Sequence, residues 1–257
     1  MRVGCKHLTV TRLNGDHGEV AAGELKSTNG TVGWDGAGTL RVRYDGPRDG
    51  LDRLSSSLRT RLGERVVPVE ALKSIEVSSD PPMLRLVLRE HADPLQSITG
   101  GYFDALITPY DFPVADRALA ESLATDIRTM LVRRDVPATP AVRWLVAPPA
   151  APDRLEGRDA TVSVETGRLV FAYKRTARRK KLADGNPWSV PLGDIIDVEW
   201  TPNQSRLGTG GFLRISTART PLERPKPRHD PAAMMTERRT DVDALFFAAR
   251  LLTRIRP

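Results

Sequence analysis

One stretch occurs twice in this chain and decides its fold: Val67-Pro68-Val69-Glu70-Ala71-Leu72-Lys73-Ser74-Ile75-Glu76 returns as Val190-Pro191-Leu192-Gly193-Asp194-Ile195-Ile196-Asp197-Val198-Glu199. In both copies the spacing of the apolar residues changes from two to three. This change is typical of a strand that ends at a half-turn and then continues as a new strand. Because proline cannot donate to a sheet, Pro68 and Pro191 are predicted at an edge or a bulge.

The residues before each copy of this stretch predict a β-hairpin. In the first half, Thr31–Trp34 and Leu40–Tyr44 flank the turn formers Asp35-Gly36-Ala37-Gly38. In the second half, residues 161–165 and 168–173 flank the shorter Thr166-Gly167. Apolar and charged residues alternate in residues 40–44, which indicates a strand with one face towards solvent. Glycine supplies the positive φ that such tight turns need.

Further strands and one helix are predicted after each copy. The strands are expected at residues 83–88 and 105–107 in the first half and at residues 212–215 and 233–235 in the second. The helices are predicted from apolar stripes at helical spacing, with Thr240 as the N-cap of the second and Asp243 three residues on. These stripes comprise Leu119, Leu123, Ile127 and Met130/Leu131 in the first helix, and Val242, Leu245, Phe246, Ala249 and Leu252 in the second.

The repeated order of elements predicts an internal duplication, and 257 residues are enough for two domains with their own cores. The predicted fold class is mainly β with α: two tandem pleckstrin-homology-like (PH-like) β-barrels or sandwiches, each closed by one C-terminal amphipathic helix. The predicted boundaries are an N-terminal extension at 1–19, repeat 1 at 20–134, a Pro-rich linker at 135–153 and repeat 2 at 154–257. Within the linker, Trp144-Leu145-Val146 is expected to pack on the fold, since its exposure would be costly.

The same motifs resemble a known family. In the first half these motifs are Thr31-Val32-Gly33-Trp34-Asp35, Val67-Pro68-Val69, Leu84-Arg85-Leu86 and Asp93-Pro94. In the second half they are Val162, Val190-Pro191-Leu192, Gly211-Phe212-Leu213-Arg214 and Asp230-Pro231. Together they resemble an uncharacterised actinomycete family catalogued as domain of unknown function 4429. The resemblance covers about Val20 to the C-terminus. It implies a pair of bacterial PH-like domains and brings no catalytic or ligand residues to carry over.

The sequence gives little reason to expect catalysis. The four histidines are far apart in sequence, so no metal site is predicted. Gly208-Thr209-Gly210-Gly211 precedes a strand and lacks a following lysine, which favours a turn over a phosphate loop. We therefore expect a non-enzymatic protein with no cofactor. The single Cys5 and the lack of an apolar stretch of about 18 residues favour a cytoplasmic protein without a transmembrane segment, and leave room for peripheral association with the inner face of the membrane.

The outstanding feature is the basic run at residues 174–181, whose six positive charges account for six units of the formal net charge of +7. We expect these charges on a protruding hairpin of repeat 2 that binds an anionic partner, either a protein or a lipid surface. Nucleic acid is a less favoured alternative because no stacking aromatics interleave the run, and an enzyme of unknown class is the least favoured. A solvated loop without function fits the run equally well. The predicted binding residues are Lys174, Arg175, Arg178, Arg179, Lys180 and Lys181.

Overall fold

The computed structural model describes residues 23–45, 53–99, 109–203 and 210–256, which form a mixed α and β fold. The chain divides into two compact units. The first unit contains the described residues of 1–45, 63–88 and 110–139, and the second contains those of 46–62, 89–109 and 140–257. Two segments from the first half of the chain thus belong to the second unit. The two units are defined by contacts between residues and not by the repeats in the sequence. The predicted repeat boundaries therefore stay predictions.

The strands of the first unit form two antiparallel sheets. The four-stranded sheet has the order β1-β2-β3-β4, and the three-stranded sheet has the order β5-β6-β7. Their bounds are β1 (Gly23–Ser27), β2 (Gly30–Trp34), β3 (Thr39–Tyr44), β4 (Glu64–Pro68), β5 (Leu72–Ser79), β6 (Pro82–Leu88) and β7 (Asp111–Pro113).

The second unit repeats this plan. Its four-stranded sheet has the order β11-β10-β9-β8, and its three-stranded sheet has the order β12-β13-β14. No sheet in the described part of the chain closes on itself, so the barrel form that the sequence suggested is not observed there. The bounds are β8 (Arg154–Glu156), β9 (Ala160–Glu165), β10 (Arg168–Tyr173), β11 (Trp188–Pro191), β12 (Ile195–Thr201), β13 (Phe212–Thr217) and β14 (Ala233–Met235).

The duplicated stretch folds as the sequence predicts. Each copy ends an edge strand at its proline, passes through one 3₁₀ turn, Val69–Ala71 or Leu192–Asp194, and starts the first strand of the second sheet. The hairpin turns are also confirmed, because Gly36, Gly38 and Gly167 all have positive φ. An edge strand suits proline because proline has no amide hydrogen to donate to a neighbouring strand.

Four helices are described: α1 (Arg53–Leu62), α2 (Pro94–Thr99), α3 (Arg117–Arg133) and α4 (Asp241–Ile255). The two predicted helices are α3 and α4. Thr240 occupies the N-cap position of α4, as predicted, but its side chain makes no capping bond. Its hydroxyl instead donates to Glu237 O at 3.0 Å, and the carboxylate of Asp243 pairs with Arg61 of α1. The α3 cap is Asp116, which accepts from the Leu119 amide.

The sequence analysis missed α1 and α2, which both belong to the second unit. Leu58 and Leu62 of α1 and Leu95 and Ile98 of α2 are buried. Both helices pack against α4. The four-residue spacing of Leu54, Leu58 and Leu62 is the signal that predicts α1.

The linker segment around Trp144 packs on the second unit, as expected. Val146 is buried, and the amides of Leu145 and Val146 both donate to Ala92 O at 2.9 and 3.0 Å. The Trp144 indole donates to Arg256 O. Three predicted features lie outside the described residues: the extension at 1–19, the strand at 105–107, and Gly208 and Thr209 of the glycine-rich turn.

Candidate functional site: a basic cluster on the second unit

The predicted basic run lies in the hairpin link between the antiparallel strands β10 and β11, and it is bonded to the fold rather than protruding as a free loop. It leaves β10, folds into a 3₁₀ turn at Arg179–Asp184 and returns to β11. The amide of Lys174 donates to Asp159 O at 2.9 Å, which ties the start of the run to the turn between β8 and β9. Asn186 closes the other end, because its side chain accepts from the Tyr173 amide at 2.8 Å and donates to Tyr173 O at 3.2 Å. The run is thus a short, tethered link.

Lys181 lies inside the protein rather than on its surface. Its side chain is 0% exposed, and its ammonium donates to Asp159 Oδ2 at 2.6 Å and to Ala233 O at 2.7 Å. Burial lowers the pKa of Lys181, while the charge of Asp159 opposes that change. The prediction that Lys181 belongs to an exposed binding surface was therefore wrong. Its buried ammonium is instead stabilised by the carboxylate of Asp159.

Lys174 is half-buried and also has a structural contact. Its ammonium donates to Gly157 O at 2.9 Å and lies 3.7 Å from a carboxylate oxygen of Glu156. Thr176 makes a parallel contact, since its hydroxyl donates to Arg158 O at 2.8 Å. These bonds hold the beginning of the run against the β8–β9 turn, so Lys174 contributes less free charge than the sequence suggested.

The other four predicted residues are exposed. They are Arg175, Arg178, Arg179 and Lys180, and none of them has an ion-pair partner in the part of the chain that the structure describes. Whether they bind an anion stays a prediction. The geometry does narrow the predicted site from six cations to these four.

A second basic segment, which the sequence analysis missed, lies beside them. Lys226 and Arg228 are exposed on the 3₁₀ turn at Pro227–His229, which packs against the turn at Arg179–Asp184. Partial burial and the nearby charges of Arg228, Lys180, Arg178 and Lys226 lower the pKa of His229 from its usual 6.5. The signal for this segment was Lys226-Pro227-Arg228-His229 itself, but no sequence spacing places it next to the first run.

We call this joint surface the basic cluster: Arg175, Arg178, Arg179, Lys180, Lys226, Arg228 and His229. Two acidic side chains of the second unit are engaged by other arginines, Arg214 and Arg224. Asp230 is buried, with Oδ2 at 3.5 Å from an Arg224 nitrogen and 3.9 Å from Arg214. Glu199 pairs with Arg214 at 2.5 Å. The surface charge of the cluster is therefore left largely uncompensated by these carboxylates.

One aliphatic side chain is exposed in the same place. Leu182 belongs to the turn at Arg179–Asp184 and is 40% exposed. Trp188, the aromatic residue at the start of β11, is half-buried and makes an edge contact with Phe171 at 5.4 Å between ring centroids. The cluster thus combines cations with an aliphatic side chain, while its neighbouring indole is engaged within the fold.

No group of three or more His, Cys, Asp or Glu side chains among the described residues is placed to hold a metal ion. The second unit does contain a carboxyl group, Asp241, whose pKa is raised by burial. Its oxygens accept from the Thr236 hydroxyl at 2.5 Å and from the Asn203 amide at 2.8 Å. These bonds fasten the start of α4 to the residues that follow β14 and β12, which is a structural role. No helix in the described part of the chain is long and apolar enough to span a membrane.

The two-sheet repeats, each closed by a helix, define a tandem β-rich protein with a basic surface on its second unit. The chain belongs to the family described as domain of unknown function, DUF4429, whose profile matches residues 48–128 and 162–252. The two matched regions agree with the tandem arrangement that the sequence motifs indicated. No curated protein matches the chain.

Proposed function

We propose that this protein is a non-enzymatic binding module, built from two PH-like domains, that engages an anionic partner through the basic cluster. The order of a four-stranded sheet, a three-stranded sheet and a closing helix in both repeats supports the PH-like assignment. The function itself rests on the side chains of the second unit, because a fold of this kind serves many unrelated activities.

The observation that carries the proposal is the convergence of two basic segments on one surface. Arg178 and Lys180 come from the β10–β11 link, whereas Lys226 and Arg228 come from the β13–β14 link. Like charges held together destabilise one another. An anion bound at the cluster relieves that repulsion, so the arrangement favours binding of a negatively charged partner.

The proposal is tested with the triple variant Arg178→Ser, Arg179→Ser and Lys180→Ser. Lys181 is left unchanged because it supports the fold. We expect the parent to bind heparin and anionic vesicles at low salt, and binding to weaken as salt rises because salt screens exposed charges. The variant is expected to lose most of this binding, measured by co-sedimentation with vesicles and by heparin affinity chromatography.

The matched control removes three exposed cations elsewhere: Lys73→Ser, Arg117→Ser and Arg143→Ser. This variant has the same net charge as the triple variant. Binding that falls equally in both variants means that net charge alone is responsible and contradicts a defined cluster. A parent that binds no anion at low salt contradicts the proposed function altogether. Circular dichroism confirms that each variant is folded.

A further inference from the structure

The turn at Arg179–Asp184 places charged and aliphatic side chains on one exposed side. A 3₁₀ helix has three residues per turn, so side chains at i and i+3 lie one above the other. Arg179 and Leu182 have this spacing, and both are exposed. Lys181 points inwards at 0% exposure. The turn therefore presents an arginine and a leucine together.

Contacts with the rest of the second unit hold the turn at Arg179–Asp184 in place. The ion pair of Lys181 with Asp159 anchors the middle of the turn. The two hydrogen bonds between Asn186 and Tyr173 fix the chain where it rejoins the sheet. The link is thus fixed at Lys181 and where it rejoins the sheet, and Leu182 lies between these two points with 40% of its surface exposed.

We propose that this surface docks on an anionic lipid bilayer, with Leu182 entering the boundary between headgroups and acyl chains while the cations of both turns meet lipid phosphates. The inference rests on the proposed function and names its partner. The contacting cations are Arg178, Arg179, Lys180, Lys226 and Arg228.

A bilayer fits these side chains better than the other anionic partners do. Association with a membrane surface gains from buried apolar area and from attraction of basic residues to anionic lipid. A soluble polyanion such as heparin uses the cations but has no apolar layer for Leu182. Single-stranded nucleic acid is bound by cations together with aromatic side chains on which the bases stack, and the nearby Trp188 is already in contact with Phe171.

The expected effects differ for charge and for leucine. Near an anionic membrane each cation contributes about fivefold in affinity, so removing three has a large, salt-sensitive effect. Leu182→Ser is expected to weaken binding roughly three- to tenfold through lost apolar burial, and this loss persists at higher salt. The control Val132→Ser alters a valine of α3 that is 81% exposed and lies outside the basic cluster, and it should leave binding unchanged.

The experiment uses the full chain with vesicles of phosphatidylcholine, with and without phosphatidylserine, beside heparin and single-stranded DNA. Leu182→Ser should lose affinity for phosphatidylserine vesicles and keep its affinity for heparin. A second measurement places an environment-sensitive dye at Leu182→Cys or at Val132→Cys, in a Cys5→Ser background. Dye fluorescence should shift to the blue on anionic vesicles for position 182 and stay unchanged for position 132.

The outcomes separate the two proposals. Heparin binding without vesicle binding overturns the bilayer inference and leaves the proposed function standing, as does stronger binding to DNA than to vesicles. Equal vesicle affinity of the parent and Leu182→Ser, with no shift of the dye at position 182, also overturns the inference. Failure of the parent to bind any of the anions removes both proposals.

Discussion

The two closing helices occupy the same place in their repeats but are buried to very different extents. In α3 only one stripe is buried: Ala120, Leu123, Ala124 and Ile127. In α4 ten of the fifteen residues are buried, including Leu245 and Phe246. The reason is that α4 packs on β12 and β13 and also against α1 and α2. A helix that packs on a sheet and on other helices needs a wider apolar surface than one that packs on a sheet alone.

A second difference lies at the first turn of each repeat. In the first unit, the Asn29 side chain donates to Asp111 O at 3.1 Å. In the second unit, Asp159 takes the corresponding position, accepting from the Met235 amide at 2.8 Å and pairing with Lys181. A neutral hydrogen bond in one repeat is therefore replaced by a buried ion pair in the other, and this ion pair is what holds the basic link in place.

The largest expected effect distinguishes the two helices. Phe246→Ala should lower the free energy of unfolding by about 3–5 kcal/mol, because Phe246 is fully buried in a helix that packs on both strands and helices, and its removal leaves a cavity there. Leu→Ala changes at Leu245 and Leu123 give the matched comparison within a range of about 2–5 kcal/mol. We expect the larger loss at Leu245, which is completely buried, in guanidinium unfolding followed by circular dichroism.

Hydrogen exchange shows where each change acts. Leu123→Ala should reduce protection in β5, on which α3 packs, and Leu245→Ala should reduce protection in β12. A larger loss of stability from Leu123→Ala than from Leu245→Ala would break the comparison between the helices.

The next effect compares the two turn contacts. Lys181→Met should destabilise the protein by about 3–5 kcal/mol, because it leaves the buried carboxylate of Asp159 without its cation. Asn29→Ala removes the hydrogen bond from the side chain to Asp111 O, which joins uncharged groups, and should cost about 1 kcal/mol. Both values are measured by denaturant unfolding.

The control is the double variant Lys181→Met with Asp159→Asn. The asparagine carries no charge and can still accept from the Met235 amide, so part of the lost stability should return. If Lys181→Met costs no more than Asn29→Ala, the ion pair does not hold the link and the difference between the repeats is unimportant for stability.

The smallest effect concerns pH and has no counterpart in the described part of the first unit. Partial burial and the cations of both basic turns depress the pKa of His229 in the folded state. A bound anion stabilises the imidazolium and raises this pKa, so binding takes up a proton. Binding to phosphatidylserine vesicles should therefore strengthen as pH falls from about 7 to below 6.5.

A fall in pH is expected to strengthen binding but to lower the stability of the fold. Because the folded pKa of His229 is below its unfolded value of about 6.5, protonation favours the unfolded state. The stability contributed by this histidine is present above pH 6.5 and declines as pH falls through the depressed pKa. His229→Gln should flatten the pH dependence of vesicle binding, whereas His91→Gln should not. An unchanged binding profile in His229→Gln means that His229 does not respond to the ligand.

Local patterns in the sequence were enough to predict the duplication, the hairpins, the helices α3 and α4 and the turn after each proline. They depend on periodicity, on glycine at positive φ and on the missing amide of Pro68 and Pro191, which are properties of neighbouring residues. The family resemblance followed from the same residues. The four exposed cations of the predicted site were also visible as charges in one run.

Tertiary structure decided what distant residues do to one another. The sequence alone does not indicate that Lys181 finds Asp159, that Lys226 and Arg228 join the first basic run, or that α1 and α2 cover α4. A charge is stable in the interior only beside a partner that folding brings there. The contribution of a lysine to stability thus depends on contacts with residues far away in the chain. The six cations of one run therefore differ in the structure: Lys181 is buried, Lys174 is half-buried, and the other four are exposed.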